Sequence, residues 1–245
     1  MASLEDLRRE LRRIDGRGYR AYKDVGGRWA EDACEVLVDH VQGDPFAAPS
    51  RVRIRVANAW PADLFENRVR RIALEDWLAR RTAEAIRRAA GGRRGSGKSG
   101  LVAIDAGGQE VVERTAVALD DEGVEARLEV GLPARGRSVL GREAEALLCD
   151  VLPEIARNAL EPGDEDEAAD FVDSVESQEA LRAQLRDRGL VAFVGDGAIL
   201  PLSRGRIARW ATRCPSSRPT RCASNWRSRI RRTASPAWAC PRASP

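Results

Sequence analysis

The 245-residue sequence lacks any apolar run near the ~18 residues that a membrane-spanning helix needs. Its N-terminus is rich in Arg and Glu and lacks the apolar stretch of a secretory signal. We therefore expect no membrane partner and a cytoplasmic location. The hydrophobic content of 43% is enough to build a core in a chain of this length.

Residues that bind metals or form disulfides are also scarce. The chain has five cysteines at irregular spacing, no CxxC pair and a single histidine, His40. Zinc sites and disulfide frameworks need several Cys or His at regular spacings. The sequence therefore predicts no metal site and reduced thiols. His40 itself has two interpretations, a general base or metal ligand, or a side chain that makes structural hydrogen bonds.

Acidic residues are absent from the last part of the chain. All 38 Asp and Glu residues lie at or before Asp196, whereas residues 203–245 contain 11 Arg and no acid. The first 202 residues have 30 basic and 38 acidic side chains, a net charge of −8. A mildly acidic body is therefore followed by a strongly basic tail.

The basic tail, residues 203–245, mixes Arg, Pro and Ser with three Trp and three Cys in no helical or strand period. One explanation is a disordered nucleic-acid-binding arm, although such arms are usually poor in Trp and Cys. The other is a frameshift in a GC-rich gene. Rebuilding codons across residue boundaries from Trp210, with permitted choices at degenerate bases, gives acidic residues and strand-like alternation. We favour the frameshift and predict a tail that is out of frame and disordered.

Periodicity along the body predicts both helices and strands. Apolar residues from Leu4 to Ile14 recur at helical spacing, and a long helix is predicted from about Ala62 to Ala90. Between these two helices, a glycine-rich connection leads into alternating stretches at Cys34–Val41 and around Val52–Val56, which predict half-buried strands.

The second half of the body repeats this mixture. Three strands in a meander are predicted, at Leu101–Ile104, Glu110–Leu119 and Glu125–Leu132. Helices are predicted at Glu143–Leu160 and about Asp166–Arg188, and a short buried strand at Leu190–Val194. The sum is an α+β fold with a mixed or antiparallel sheet and flanking helices.

Five segments of the body stand in a specific order: IDGRGYRAYKDVGGRW (Ile14–Trp29), VDHVQGDPFAAPSRVRIRV (Val38–Val56), GSGKSGLVAIDAGGQEVVERTAV (Gly95–Val117), VEARLEVGLPARGR (Val124–Arg137) and GLVAFVGDGAILP (Gly189–Pro201). In sequence, order and spacing they resemble the family of predicted ATPases of the ABC class. The resemblance covers residues 14–202, and it depends on all five segments together.

The resemblance implies an ATP hydrolase of ABC type that uses ATP and Mg²⁺. Residues 1–161 would be the N-terminal domain and residues 162–202 the start of the ATPase domain, followed by the tail at 203–245. The family's phosphate loop, signature segment and Asp-Glu pair would lie beyond Pro245, so we expect no catalytic residue in this chain and a truncated, inactive product. By analogy, the resemblance also implies RNA or another nucleic acid as a partner, and a homodimer through the ATPase domain.

The segment Gly92–Ser99 fits the pattern GxxxxGK[ST], which suggests an ATP site. A working phosphate loop follows a strand and opens a helix, whereas this segment follows a predicted helix and precedes a predicted strand. We therefore predict a basic glycine loop at residues 87–99 that contacts phosphates of nucleic acid or nucleotide, with a solvated connection as the alternative. Its candidate contact residues are Arg93, Arg94, Gly95, Ser96, Gly97, Lys98 and Ser99.

Four further positions fall within the segments that carry the resemblance, and their role is not defined by the sequence: His40, Gln42, Asp44 and Arg51. Gly43, Asp44 and Pro45 predict a turn, and Arg51 begins the solvent face of a strand. Three hypotheses for function remain at this point. They are a fragment of an ABC-class ATPase, a stand-alone nucleic-acid-binding module that uses the glycine loop, and a scaffold domain without a ligand.

Overall fold

The computed structural model describes residues 2–90, 92, 94–194 and 238–241. The chain divides into two compact units, residues 1–175 and residues 176–245. The first unit contains a seven-stranded sheet with helices, and the second contains the end of the last helix and a two-stranded sheet.

The large sheet is built from β1 (Ala2–Ser3), β2 (Gly27–Glu31), β3 (Cys34–His40), β4 (Ser50–Ala57), β5 (Val102–Ala103), β6 (Val117–Leu119) and β7 (Gly123–Val130). The strand order is β1-β2-β3-β4-β7-β5, and β6 also pairs with β7. The β1–β2 pair is parallel and the other pairs are antiparallel. The sheet is therefore mixed, and the predicted α+β class is confirmed.

The helices of the described residues are α1 (Leu4–Arg13), α2 (Arg68–Ala89), α3 (Gly141–Glu145), α4 (Leu152–Leu160) and α5 (Glu165–Leu185). A π-helical segment, Ala146–Val151, joins α3 to α4, and short 3-10 turns occur at Tyr19–Val25 and Ala62–Leu64. None of the helices in the described ranges has a stretch both long and apolar enough to cross a bilayer.

Local capping explains where the first two helices begin. Ser3 and Asp6 form a capping box at the start of α1, in which each side chain accepts a hydrogen bond from the backbone N–H of the other. The side chain of Asn67 accepts from the N–H of Arg70 and starts α2. The helix predicted from Ala62 therefore begins six residues later, after a separate 3-10 turn at Ala62–Leu64.

One face of the sheet is covered by helices. Helix α4 packs on β3, β4 and β7, and α2 packs on α4. Alternate residues of β4, including Val52, Ile54 and Val56, are buried on this side. On the other face, Arg53 pairs with Asp39 of β3 at 2.6 Å and with Glu125 of β7 at 2.8 Å. This face is charged, which agrees with the predicted solvent face of that strand.

The predicted meander is wrong in its extent and in one of its two pairings: β6 pairs with β7 as predicted, but β5 pairs with β7 and not with β6. Of Leu101–Ile104 only β5 is strand, and of Glu110–Leu119 only β6. Both short strands pair with β7, β6 at Val124–Ala126 and β5 at Glu129–Val130, so they lie end to end along one edge. Strand β7 has only eight residues, and β5 and β6 occupy the two ends of its edge. The chain between β5 and β6 therefore does not form a strand along β7.

The structure also contains strands that the sequence analysis did not predict, and one predicted strand differs in its burial. Strand β2 lies within the predicted glycine-rich connection, and a hairpin is formed by β8 (Ala134–Arg135) and β9 (Ser138–Val139). The strand predicted at Leu190–Val194 is present as β10, but it is not buried, because the side chain of Val191 is 58% exposed.

The prediction of a disordered, out-of-frame tail lies outside the described residues, except for four of them. Residues Trp238–Pro241 form β11, which pairs antiparallel with β10. Strand pairing uses backbone N–H and C=O groups, so it does not require the apolar alternation that the tail lacks.

Candidate functional site

The loop that carries the GxxxxGK[ST] pattern lies between α2 and β5. The order of helix, loop and strand is the one that the sequence predicted, and it is the reverse of a working phosphate loop. A helix N-terminus, which would face a phosphate in such a loop, is therefore missing from this position. Arg93, one of the predicted contact residues, lies outside the described residues.

The loop is closed by its own backbone hydrogen bonds. The N–H of Arg94 donates to the carbonyl of Ser99 at 3.0 Å, and the N–H of Ser99 donates to the carbonyl of Ser96 at 3.1 Å. A phosphate cradle needs several backbone N–H groups that are free to point at the anion. These two already have protein acceptors.

Two further N–H groups of the loop bind neighbouring segments. The N–H of Ser96 donates to the carbonyl of Ala134 at 2.7 Å, and the N–H of Lys98 donates to the carbonyl of Pro45 at 2.8 Å. The loop is thereby tied to one segment before it and one after it in the chain. We call the three segments together, residues 42–47, 94–101 and 131–139, the glycine junction.

The serine of the pattern is part of this packing. Ser99 is only 2% exposed. Its hydroxyl accepts a hydrogen bond from the N–H of Ala134 at 3.0 Å and donates to the carbonyl of Ser96 at 2.5 Å. In a working phosphate loop this hydroxyl would bind Mg²⁺. Here it is engaged in the protein, so Gly92–Ser99 does not fit a magnesium–nucleotide complex.

The glycines of the loop permit close approach of backbones. A Cβ on Gly95 would lie 2.2 Å from the carbonyl oxygen of Ala134, and one on Gly97 would lie 2.3 Å from that of Pro45. Both residues also have positive φ angles, +137° and +63°. Glycine is the residue that satisfies both conditions at low cost, so packing within the junction accounts for these positions without a ligand.

Side-chain hydrogen bonds fix the segment 42–47, which precedes β4 and forms one part of the junction. The buried Gln42 and Ser50 exchange hydrogen bonds, from the N–H of Gln42 to Ser50 Oγ at 3.0 Å and from the N–H of Ser50 to Gln42 Oε1 at 3.3 Å. Asp44 Oδ1 accepts from the N–H groups of Phe46 at 2.8 Å and Ala47 at 3.1 Å. Gln42 and Asp44 therefore fix the turn that carries Pro45 and Phe46.

Two tyrosines anchor the segment 131–139 of the junction through their hydroxyl groups. The hydroxyl of Tyr22 donates to the carbonyl of Pro133 at 2.6 Å, and the hydroxyl of Tyr19 donates to the carbonyl of Leu132 at 3.3 Å. Burial raises the pKa of both phenols. They therefore stay protonated and remain donors at neutral pH, which anchors the segment that leads into the β8–β9 hairpin.

The junction collects positive charge from two segments. The N–H of Gly136, at the tip of the hairpin, donates to Ser96 Oγ at 2.9 Å, which brings Arg135 and Arg137 close to the loop that carries Lys98. These three side chains are exposed and form no ion pair within the described residues. Arg94, in contrast, pairs with Glu143 at 3.5 Å.

Two other basic residues predicted for this region, at the end of α2, share one carboxylate partner. Arg87 pairs with Glu84, and Arg88 pairs with the same carboxylate at 3.0 Å. Both contacts are i,i+3 or i,i+4 pairs on the surface of α2. Among the described residues of the junction, the basic side chains without a carboxylate partner are those of Lys98, Arg135 and Arg137.

His40 and Arg51 lie apart from this packing. His40 is exposed at the end of β3, opposite Arg51 of β4, where the register of the two strands shifts. No described residue forms a hydrogen bond with its side chain or joins it in a group of Cys, His, Asp and Glu suited to a metal ion. Neither of its two predicted roles gains support from its surroundings.

Sequence reasoning missed three members of the site, namely Phe46, Arg135 and Arg137. Arg135 and Arg137 lie in the segment GLPARGR, whose Gly-Arg tip is typical of a turn with charged flanks. Phe46 gave no signal, because its position against the loop depends on a contact between residues about 50 apart, from Pro45 to Lys98.

Comparison with known families gives two matches. The model for the N-terminal part of the ATPases of the ABC class matches residues 4–162, and a P-loop domain model matches residues 164–229. The second match begins just before α5 and reaches into the basic tail. A comparison with curated proteins finds no match.

Proposed function

Because the chain belongs to the family of ATPases of the ABC class, we propose that it acts as the N-terminal module of such an ATPase and that its glycine junction binds nucleic acid. The proposal has two parts, one for the nucleotide and one for the nucleic acid. Each depends on a different observation.

For the nucleotide, the match of residues 164–229 to a P-loop domain supports ATP and Mg²⁺ as ligands of that domain. The glycine junction is a poor alternative, since the N–H groups of Arg94, Ser96, Lys98 and Ser99 and the Ser99 hydroxyl already have protein partners. We therefore assign no nucleotide contact to Gly92–Ser99, although the loop matches the letter pattern of a phosphate loop.

For the nucleic acid, the observation that supports the proposal is the charge of the junction. Lys98, Arg135 and Arg137 are exposed and without ion pairs among the described residues, on a body of 202 residues whose net charge is −8. An acidic body repels polyanions in general, so only a local patch of free cations attracts them. Side chains that are not already paired bind phosphates without breaking an existing contact.

The test is the salt dependence of binding to a fluorescent single-stranded RNA, measured with the full chain. Each phosphate contact releases counterions, so replacing Lys98, Arg135 and Arg137 by Ala should flatten the slope of log K against log salt by about one unit per lost contact. The 11 Arg of the tail contribute equally to every variant, so differences between variants report the junction.

Arg71→Ala is the matched control, because Arg71 is exposed, has no ion pair within the described residues and lies in the first turn of α2. A slope unchanged in this control but lowered in the triple variant supports the proposal. If the triple variant and the control bind RNA with the same slope as the unmodified chain, the junction has only a structural role.

A further inference from the structure

The most exposed large apolar side chain of the described residues is that of Phe46, at 69%. Its backbone, however, is firmly held. The N–H of Phe46 donates to Asp44 Oδ1 at 2.8 Å, and the preceding carbonyl, that of Pro45, accepts from the N–H of Lys98 at 2.8 Å. An aromatic ring that an ordered turn holds in water does not gain the free energy that burial of its apolar surface would provide.

The ring lies directly beside the glycine loop. A Cβ on Gly97 would lie 3.1 Å from Cδ1 of Phe46, so the absence of that side chain leaves room for the ring to rest against the loop backbone. Lys98 is the next residue, and Leu101, at 39% exposure, donates its N–H to the Lys98 carbonyl at 3.0 Å. An aromatic face and a free ammonium group therefore project from neighbouring, mutually bonded segments.

We propose that Phe46 is a stacking platform for an unpaired base of a single-stranded nucleic acid, one of whose phosphates is bound by Lys98. The inference rests on the nucleic-acid function proposed above and adds a preference for single strands. Single-strand sites combine cations along the backbone with an aromatic residue on which a base stacks, and the stacking is tolerant of sequence because every base has a π-face. In a duplex the bases are already stacked on one another, so the ring has no face to contact.

Three features favour this occupant over a protein partner. The apolar surface is a single ring with one flanking Leu, Lys98 on the adjoining segment has no carboxylate partner in the described residues, and Asp44 is engaged by backbone N–H groups. The interface of a specific protein–protein complex is usually larger than this patch and has a more apolar centre. A nucleotide unit needs one ring and one or two cations.

The experiment compares Phe46→Ala and Phe46→Tyr with the unmodified full chain. The probes are a fluorescein-labelled 12-nucleotide RNA, the same strand annealed to its complement, and a strand of equal length and charge made of abasic sites. For the single strand, Phe46→Ala should weaken binding roughly 5- to 150-fold, the loss expected for one stacked base. Phe46→Tyr should restore it, because the ring face is retained.

The salt slope separates this inference from the function on which it depends. Phe46→Ala removes no charge, so the slope of log K against log salt should stay unchanged, and binding of the duplex and the abasic strand should be unaffected. If Phe46→Ala binds the single strand as well as the unmodified chain does, stacking is refuted while the charge-based proposal stands. If the Lys98, Arg135 and Arg137 triple variant also binds with an unchanged slope, both are refuted.

Discussion

The hydroxyl of Ser99 accepts a hydrogen bond from the backbone N–H of Ala134 at 3.0 Å, and both residues are buried. This contact joins the last position of a GxxxxGK[ST] pattern to a β-hairpin 35 residues later. A serine that would bind Mg²⁺ in a phosphate loop here closes a packed junction between two segments of one domain. The same sequence pattern therefore stabilises a packed junction in this chain, whereas in a phosphate loop it binds a nucleotide.

The first prediction concerns this hydroxyl. Ser99→Ala leaves the buried N–H of Ala134 without an acceptor, which costs about 1–3 kcal/mol of unfolding free energy. Ser138→Ala, at an exposed position of β9, should change the unfolding free energy by less than about 0.5 kcal/mol. Urea denaturation of both variants measures the difference. Equal stabilities would mean that the N–H finds another partner and that the contact does not hold the junction.

The second prediction separates backbone strain from steric clash. Gly97 and Gly136 have φ angles of +63° and +60°, but a Cβ on Gly97 would meet the Pro45 carbonyl at 2.3 Å whereas one on Gly136 would meet nothing within 4 Å. Gly136→Ala should therefore cost about 1 kcal/mol for its conformation alone. Gly97→Ala should cost clearly more, since the junction must also open.

Thermal unfolding of the two glycine variants provides the measurement. A domain of this size is expected to lose about 2–4 °C in Tm for each kcal/mol. If Gly97→Ala and Gly136→Ala lower Tm by the same amount, the close approach of residues 42–47 to the loop does not contribute to stability.

The sequence was informative where a single element decides its own structure. Leu4, Leu7, Leu11 and Ile14 predicted α1 correctly, because helical spacing and capping residues act within a few residues of each other. The extents of β5 and β6 were wrong because they depend on the length of β7, which neither segment contains. Strand β2 was missed because its pairing with β3, and not its own alternation, keeps it extended.

In the candidate site too, features set by the local sequence could be predicted, whereas features set by contacts between distant residues could not. The reversed order of helix, loop and strand at Gly92–Ser99 could be predicted, since it follows from local periodicity. The place of Arg135 and Arg137 beside Lys98 could not, because it is created by hydrogen bonds from Ser96 to Ala134 and from Gly136 to Ser96. Gln42 was identified only as a position of the resemblance, whereas Asp44 was also predicted to lie in a turn. The structure confirms the turn and shows that both side chains fix it.

The third prediction concerns the two described cysteines. Burial raises the pKa of Cys34 to about 11 and that of Cys149 to about 12, so almost no thiolate is present at neutral pH. Both should resist iodoacetamide at pH 7.5 in the folded chain and react in 8 M urea, which serves as the control. Peptide mass spectrometry assigns the modified sites. Rapid alkylation of Cys149 in the folded chain would show that α4 and the segment before it open readily.

The last prediction is that the purified 245-residue chain shows no Mg²⁺-dependent ATP hydrolysis above background. The pattern GxxxxGK[ST] occurs once in the sequence, at Gly92–Ser99, and there the N–H groups of Ser96 and Lys98 and the Ser99 hydroxyl are bonded to protein atoms. Phosphoryl transfer needs free N–H donors, a lysine over the β- and γ-phosphates and a held Mg²⁺ ion. Phosphate release should therefore be the same for the unmodified chain, for Lys98→Ala and for the control Arg71→Ala. Turnover that is lost in Lys98→Ala and retained in Arg71→Ala would identify the loop as a true nucleotide site and overturn its assignment as a packed junction.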